Sequence, residues 1–134
     1  MKHQEIFDFV ITKLAKQRAI SMNNDGACLY RKNKKANCKT KCAVGWLIKD
    51  EFYDPIMDAV EEDNTDILYN DAAQKALRKS GIRVDIDFLA DLQNAHDLTT
   101  QQTLAGIRQN WKIAFTHFAE MYSLKTDVLN KAFK

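Results

Sequence analysis

Cys42, His96 and Asp97 are the residues whose types could carry covalent chemistry in this chain. A cysteine that opens a helix faces unpaired backbone N–H groups and the positive end of the helix dipole, and both favour the thiolate. Cys42 stands at such a start: Ala43-Val44-Gly45-Trp46-Leu47-Ile48 reads as a short helix, apolar nearly all round and therefore buried. Lys39 and Lys41 add positive charge beside it. A thiolate with an imidazole in reach is what a cysteine nucleophile requires. In that thiol-enzyme alternative His96 is the base and Asp97 orients it. No glycine-rich nucleophile elbow and no oxyanion loop accompany Cys42, so no catalytic residue is assigned. The expectation taken forward is a small buried thiol in a tight helix contact. His96-Asp97 likewise closes an expected helix, where a histidine serves the carbonyl end.

The same cysteines offer a metal alternative. Cys28, Cys38 and Cys42 could supply three thiolates, and His3, His96 or His117 a fourth ligand. The gaps of nine and three residues lack the paired short spacing of a structural zinc site. No metal and no other cofactor is therefore expected. An odd number of cysteines, and a start without the apolar core of a secretion signal, point to a reducing cytosol rather than a disulfide framework. Phosphate-binding glycine loops and a calcium loop are both missing from the pattern. Carboxylates are too numerous for any glycosidase-like pair to stand out.

Charge is segregated. The net charge is +2, from 20 basic and 18 acidic residues, which is low for a dedicated nucleic-acid binder. Yet Arg31, Lys32, Lys34, Lys35, Lys39 and Lys41 form a run without an acid. From Asp50 to Asp71 the chain carries acids and no base, among them Glu51, Asp54, Glu61, Glu62 and Asp63. Such blocks read either as solvated faces that neutralise each other or as docking surfaces. On the second reading the basic run faces phosphate, with Tyr30 available for stacking, or the acidic run imitates nucleic acid to a basic partner.

The elements that must position these residues are mostly helical. At 134 residues, with 46% hydrophobic and 28% charged residues, the chain reads as one domain over 1–134. No apolar run is long enough to span a membrane. Residues 4–19 place Ile6, Phe7, Val10, Leu14 and Ala15 on one helical face. Turn formers follow at 21–26, and residues 27–31 with 38–41 read as a short β-hairpin about a lysine-rich turn. Asp54-Pro55 marks a helix start, and Asn70 or Asp71 caps a helix through Lys79 that Gly81 ends. Asp85 or Asp87 opens the next, with Phe88, Leu89, Leu92 and Ala95 inward. Thr99 with Gln102 resembles a capping box. The stripe Leu104, Ile107, Trp111, Ala114, Phe115, Phe118, Met121 and Tyr122 predicts a helix over about 100–122, with His117 at its boundary. Thr126-Asp127 opens a last short helix. The expected fold is a mainly α single compact domain of five to seven helices with a hairpin near 27–41.

A resemblance covers most of the chain, with its specific motifs in two patches. Cys28-Leu29-Tyr30-Arg31, then Lys41-Cys42-Ala43-Val44-Gly45-Trp46-Leu47-Ile48 and Asp50-Glu51-Phe52-Tyr53-Asp54, resemble the C-x-Y-R, K-C-A-V-G-C-L-I and D-E-x-Y-D segments of a group of small uncharacterised proteins common in tailed bacteriophages. Leu92-Gln93-Asn94-Ala95-His96-Asp97 is similar to their L-Q-x-x-H-D segment, and Ala119-Glu120-Met121-Tyr122-Ser123-Leu124 to their closing A-x-x-Y-G-L. Trp46 replaces a cysteine of that pattern, Ser123 a glycine, and the basic turn is longer. The loss at Trp46 counts against a metal or disulfide role that needs that second thiol. The resemblance transfers no catalytic role. It implies a phage or prophage source and work in the host cytoplasm. The expected function is non-enzymatic: an accessory protein that binds, and inhibits, a host macromolecule such as a component of antiviral defence. The partner expected first is a host or viral protein, with nucleic acid as the other class and no membrane.

Overall fold

The computed structural model describes residues 1–22, 28–59, 66–98 and 103–133. Among them are five α-helices: α1 His3–Gln17, α2 Asp71–Lys79, α3 Ile86–Asp97, α4 Leu104–Met121 and α5 Asp127–Ala132. Four short 3-10 helices lie between α1 and α2: Val44–Leu47, Asp50–Phe52, Pro55–Asp58 and Ile67–Tyr69. The protein is a mainly α single domain around one apolar core.

Some helix starts follow the capping chemistry of the sequence, while Asp85 and Thr126 precede α3 and α5 without a side-chain cap bond. The Asp54 carboxylate accepts from the Ile56 N–H at 3.0 Å, with Pro55 in the first turn. The Asn70 side chain accepts from the Ala73 N–H at 3.0 Å and donates to the Met57 carbonyl at 2.9 Å, so one residue starts α2 and fastens it to the preceding 3-10 helix. Gly81 ends α2 with φ of 87°, while Ile82 donates back to Leu77. The Thr103 hydroxyl starts α4, accepting from Gly106 at 3.1 Å. The expected Thr99–Gln102 box lies outside the described residues.

The core is the meeting of apolar stripes. Helix α1 buries Ile6, Phe7, Val10, Ile11 and Leu14, and α4 buries Ile107, Trp111, Phe115, Phe118 and Ala119. Phe7 stacks on Phe118, and Phe88 of α3 meets Phe118 edge-on. Each such side chain contributes roughly 2–3 kcal/mol through its removal from water. Leu104 and Met121, expected on the inward stripe of α4, are exposed at its two ends.

The hairpin is a correction. No β-strand occurs among the described residues, only an isolated bridge between Met22 and Cys28. Two backbone bonds, Lys32 N–H to Thr40 and Cys42 N–H to Leu29, bring the two arms together. A regular ladder does not form because side chains take its groups. The Asp58 carboxylate accepts the N–H groups of Tyr30 and Arg31 at 2.8 and 3.0 Å. The Arg31 guanidinium, in turn, donates to the carbonyls of Tyr30 and Ala36.

Candidate functional site

Two buried polar clusters and one charged loop hold many, though not all, of the residues singled out in the sequence. The first cluster surrounds Cys42. Its sulfur lies 3.5 Å from that of Cys28, and both residues are buried, Cys42 completely and Cys28 all but 5%. The helix that Cys42 was expected to open is a single four-residue 3-10 turn, Val44–Leu47. Its first N–H, on Val44, is aimed at the Gln93 side-chain oxygen at 3.0 Å, and the Cys42 N–H is given to Leu29. The thiol therefore lacks the ring of free donors that would hold a thiolate. The hydrogen bond shared with Cys42, and then burial, push the Cys28 thiol well up from its ordinary range.

His96 is wholly buried at the end of α3. Its Nε2 lies 3.3 Å from the Ser21 N–H, which can only donate, so Nε2 is the acceptor. The ring proton is then on Nδ1, 2.7 Å from the Asp97 carboxylate. Gln93 donates to the same carboxylate oxygen at 2.8 Å, and the Trp111 indole donates to the His96 carbonyl. Asp97 thus does orient His96, but the nitrogen a base would use is occupied by backbone. The dyad fastens α3 to the segment before Cys28 and to α4. Two surface grooves, one of about 620 Å³ beside Leu104, Arg108 and Phe133 and one of about 220 Å³ beside Leu77, Arg78 and Ile82, are lined by neither Cys42 nor His96.

The cysteines do not gather. Cys38 gives its S–H to the Thr40 carbonyl at 3.3 Å, while His3 stacks on Phe88 and His117 is exposed. Among the described residues no three His, Cys, Asp or Glu groups converge as a metal ion would require.

The second cluster is built on Arg31, whose side chain is fully buried. All of its N–H groups are used: Nε on Ala36, Nη1 on the carbonyls of Tyr30 and Gly45, and Nη2 on the Ile48 carbonyl and the Asp50 carboxylate. Its plane also lies over the Tyr53 ring, 5.0 Å from the centroid. Asp58 is the buried counter-charge. Burial raises its carboxyl above the ordinary range, outweighing the Tyr53 hydroxyl at 2.6 Å and the two backbone donors. Tyr53 is pushed up in turn, by burial and then by that hydrogen bond. Gly45 is required here: a Cβ would sit 2.5 Å from the Tyr30 carbonyl oxygen that Arg31 holds.

Arg31 and Tyr30 therefore lie beneath the surface they were expected to form. Lys41 is also mostly buried, bonded to Asp50 at 3.1 Å and set over the Trp46 ring at 4.4 Å. Burial, then the charge of Arg31, lowers its pKa against the pull of Asp50. Asp50 itself is pushed up by burial, but Lys41 and Arg31 outweigh this and hold it below the usual carboxylate range. What remains outside is the loop from Lys32 to Lys39. Lys32, Lys34, Lys35 and Lys39 are exposed, and none meets a carboxylate among the described residues. On the acidic run Asp50, Glu51, Asp54 and Asp71 are exposed, Asp58 is internal, and Glu61, Glu62 and Asp63 lie outside the described residues. Ile56 and Tyr69 stand open to solvent, 58% and 72% exposed, on the two 3-10 helices next to Met57 and Asn70.

Sequence reasoning missed the role of Gln93 and Gln17. Gln93 joins Val44 to Asp97, and Gln17 accepts from both the Trp46 indole and the Lys41 N–H. The available signal was the position of Gln93 beside His96-Asp97 in one short segment. Of the segments singled out in the sequence, residues 28–31 and 41–48 are largely buried, whereas Glu51, Asp54, Asn94, Glu120, Met121 and Ser123 are exposed. Comparison with protein-family models, curated proteins and solved structures returns no match to this chain.

Proposed function

We propose that the protein is a phage-type accessory protein that acts in the host cytoplasm by binding, and so inhibiting, a host macromolecule. A protein component of antiviral defence is the first candidate and nucleic acid the second. One observation carries the reading. A loop with four exposed lysines, none of them ion-paired among the described residues and one, Lys32, bonded to the Met22 carbonyl, is fixed from below by a fully buried and fully bonded Arg31. Exposed lysines on a mobile turn would lose much of their attraction to the entropy of ordering, whereas a loop already held in one shape loses less on binding. Exposed Asp50, Glu51, Asp54 and Asp71 of the acidic run, with Ile56 and Tyr69 open to solvent, add groups of opposite sign. The motif resemblance supplies the phage setting.

The test is recovery of a partner from bacterial lysate by the tagged protein, alongside a low-salt shift assay with DNA and RNA. The triple variant Lys34→Glu/Lys35→Glu/Lys39→Glu is run beside it. A stoichiometric partner whose affinity falls at least about tenfold in the variant, with an unchanged circular dichroism spectrum, is the expected result. Recovery of no stoichiometric protein together with no nucleic-acid shift would overturn the reading.

A further inference from the structure

We propose that Cys28 and Cys42 are a modification site: a dithiol that a small-molecule disulfide oxidises to an internal disulfide, closing the lysine loop at its base. The two sulfurs are already 3.5 Å apart. A disulfide needs about 2.05 Å, so the approach is on the scale of a side-chain adjustment. The backbone is held for it: Cys42 donates to the Leu29 carbonyl, and Cys28 is bridged to Met22. The loop between the two sulfurs contains every exposed lysine of the basic run. The remaining cysteine, Cys38, lies inside that loop with its S–H on the Thr40 carbonyl.

The chemistry balances with an oxidant of the oxidised-glutathione class. One thiol, Cys28 by its slightly greater exposure (5% against 0%), loses its proton and attacks a sulfur of the oxidant. That step breaks the oxidant's S–S bond and releases one small thiolate. Cys42 then loses its proton and attacks the Cys28 sulfur, forming the internal bond and expelling the second small thiolate. The two protons neutralise the two leaving thiolates. Two protein thiols are oxidised and one small disulfide is reduced. Because the hydrogen bond shared with Cys42, and then burial, keep the Cys28 thiol protonated, closure is slow near neutrality and accelerates as pH rises. In a reducing compartment the pair rests open as thiols, and the bond reports oxidation. The site holds whatever the loop binds, so its failure and the failure of the binding reading are separate results.

The experiment uses the full chain, equilibrated in mixtures of reduced and oxidised glutathione at pH 8 and then treated with N-ethylmaleimide. The expected product is lighter by two hydrogen atoms before trapping, carries one maleimide at Cys38, and yields a linked Cys28–Cys42 peptide. The Cys38→Ser variant closes equally and traps none. Closing a loop of about 15 residues raises the Tm by about 10 °C relative to the reduced protein, and Cys42→Ser abolishes the rise. A persistent glutathione adduct, a bond to Cys38, a cross-linked dimer, or three trapped thiols in the most oxidising mixture would each overturn the proposal. So would an internal Cys28–Cys42 bond that leaves the Tm unchanged.

Discussion

The bundle of α1, α3, α4 and α5 and the segment from Cys28 to Asp58 share one core but are held by different physics. In the bundle, Phe7, Phe88, Phe115 and Phe118 meet ring to ring, and backbone groups are satisfied inside the helices. The Cys28–Asp58 segment has no helix longer than four residues. Its backbone groups are satisfied by side chains, chiefly Arg31 and Asp58. Apolar contact tolerates a change of shape that leaves volume intact. A buried charge with every donor engaged tolerates almost nothing, because each lost bond strands a carbonyl or leaves a carboxylate unpaired. The bundle should therefore be plastic and the segment brittle.

The largest test of that contrast pairs Arg31→Lys with Ile11→Leu. Lysine keeps the charge but cannot reach the carbonyls of Ala36, Gly45 and Ile48 together. We expect a loss of about 3–5 kcal/mol for Arg31→Lys and less than about 1.5 kcal/mol for Ile11→Leu, measured by urea unfolding. Equal losses would erase the distinction. Gly45→Ala should cost about 1–3 kcal/mol, because its Cβ meets the Tyr30 carbonyl at 2.5 Å and backbone must move. A neutral result by thermal unfolding would mean the Arg31 cluster yields easily. The smallest effect belongs to the bundle and has the opposite sign. Ser123 follows α4 with φ of 55°, the left-handed region, and Leu124 donates back to Ala119 as in a glycine-ended helix. Ser123→Gly should stabilise by about 0.5–1 kcal/mol, read as a small rise in Tm.

The same division governs what could be read in the residues. Helices α1 and α2 were legible because apolar spacing and caps are local: Asn70 and Gly81 bound α2 where their chemistry says. The Asp54-Pro55 start was equally plain, although the helix it opens is a 3-10 turn. The hairpin failed because β-like residues at 28–31 are outcompeted by a carboxylate 27 residues onward that takes the Arg31 N–H. Nothing local announces that pairing. Arg31 was counted with its lysine neighbours because an internal and an external arginine are the same letter. Its partners, being carbonyls, leave no mark in the sequence. The burial of Cys42 was legible in its apolar neighbours, and the contact of Asp97 with His96 in their adjacency along the chain. That Ser21 would occupy the other face of the ring was not, since it comes from 75 residues away.

The two indoles fall on opposite sides of this divide. Trp111 is completely enclosed, its N–H on the His96 carbonyl, while Trp46 is half-open between Lys13 and Lys41 with its N–H on Gln17. The molecule thus carries two native fluorophores in unlike surroundings, one for each region. Excited together they blend, but a chain keeping only one of them would emit from a single address, so that bundle and loop could be watched coming apart in turn or in unison.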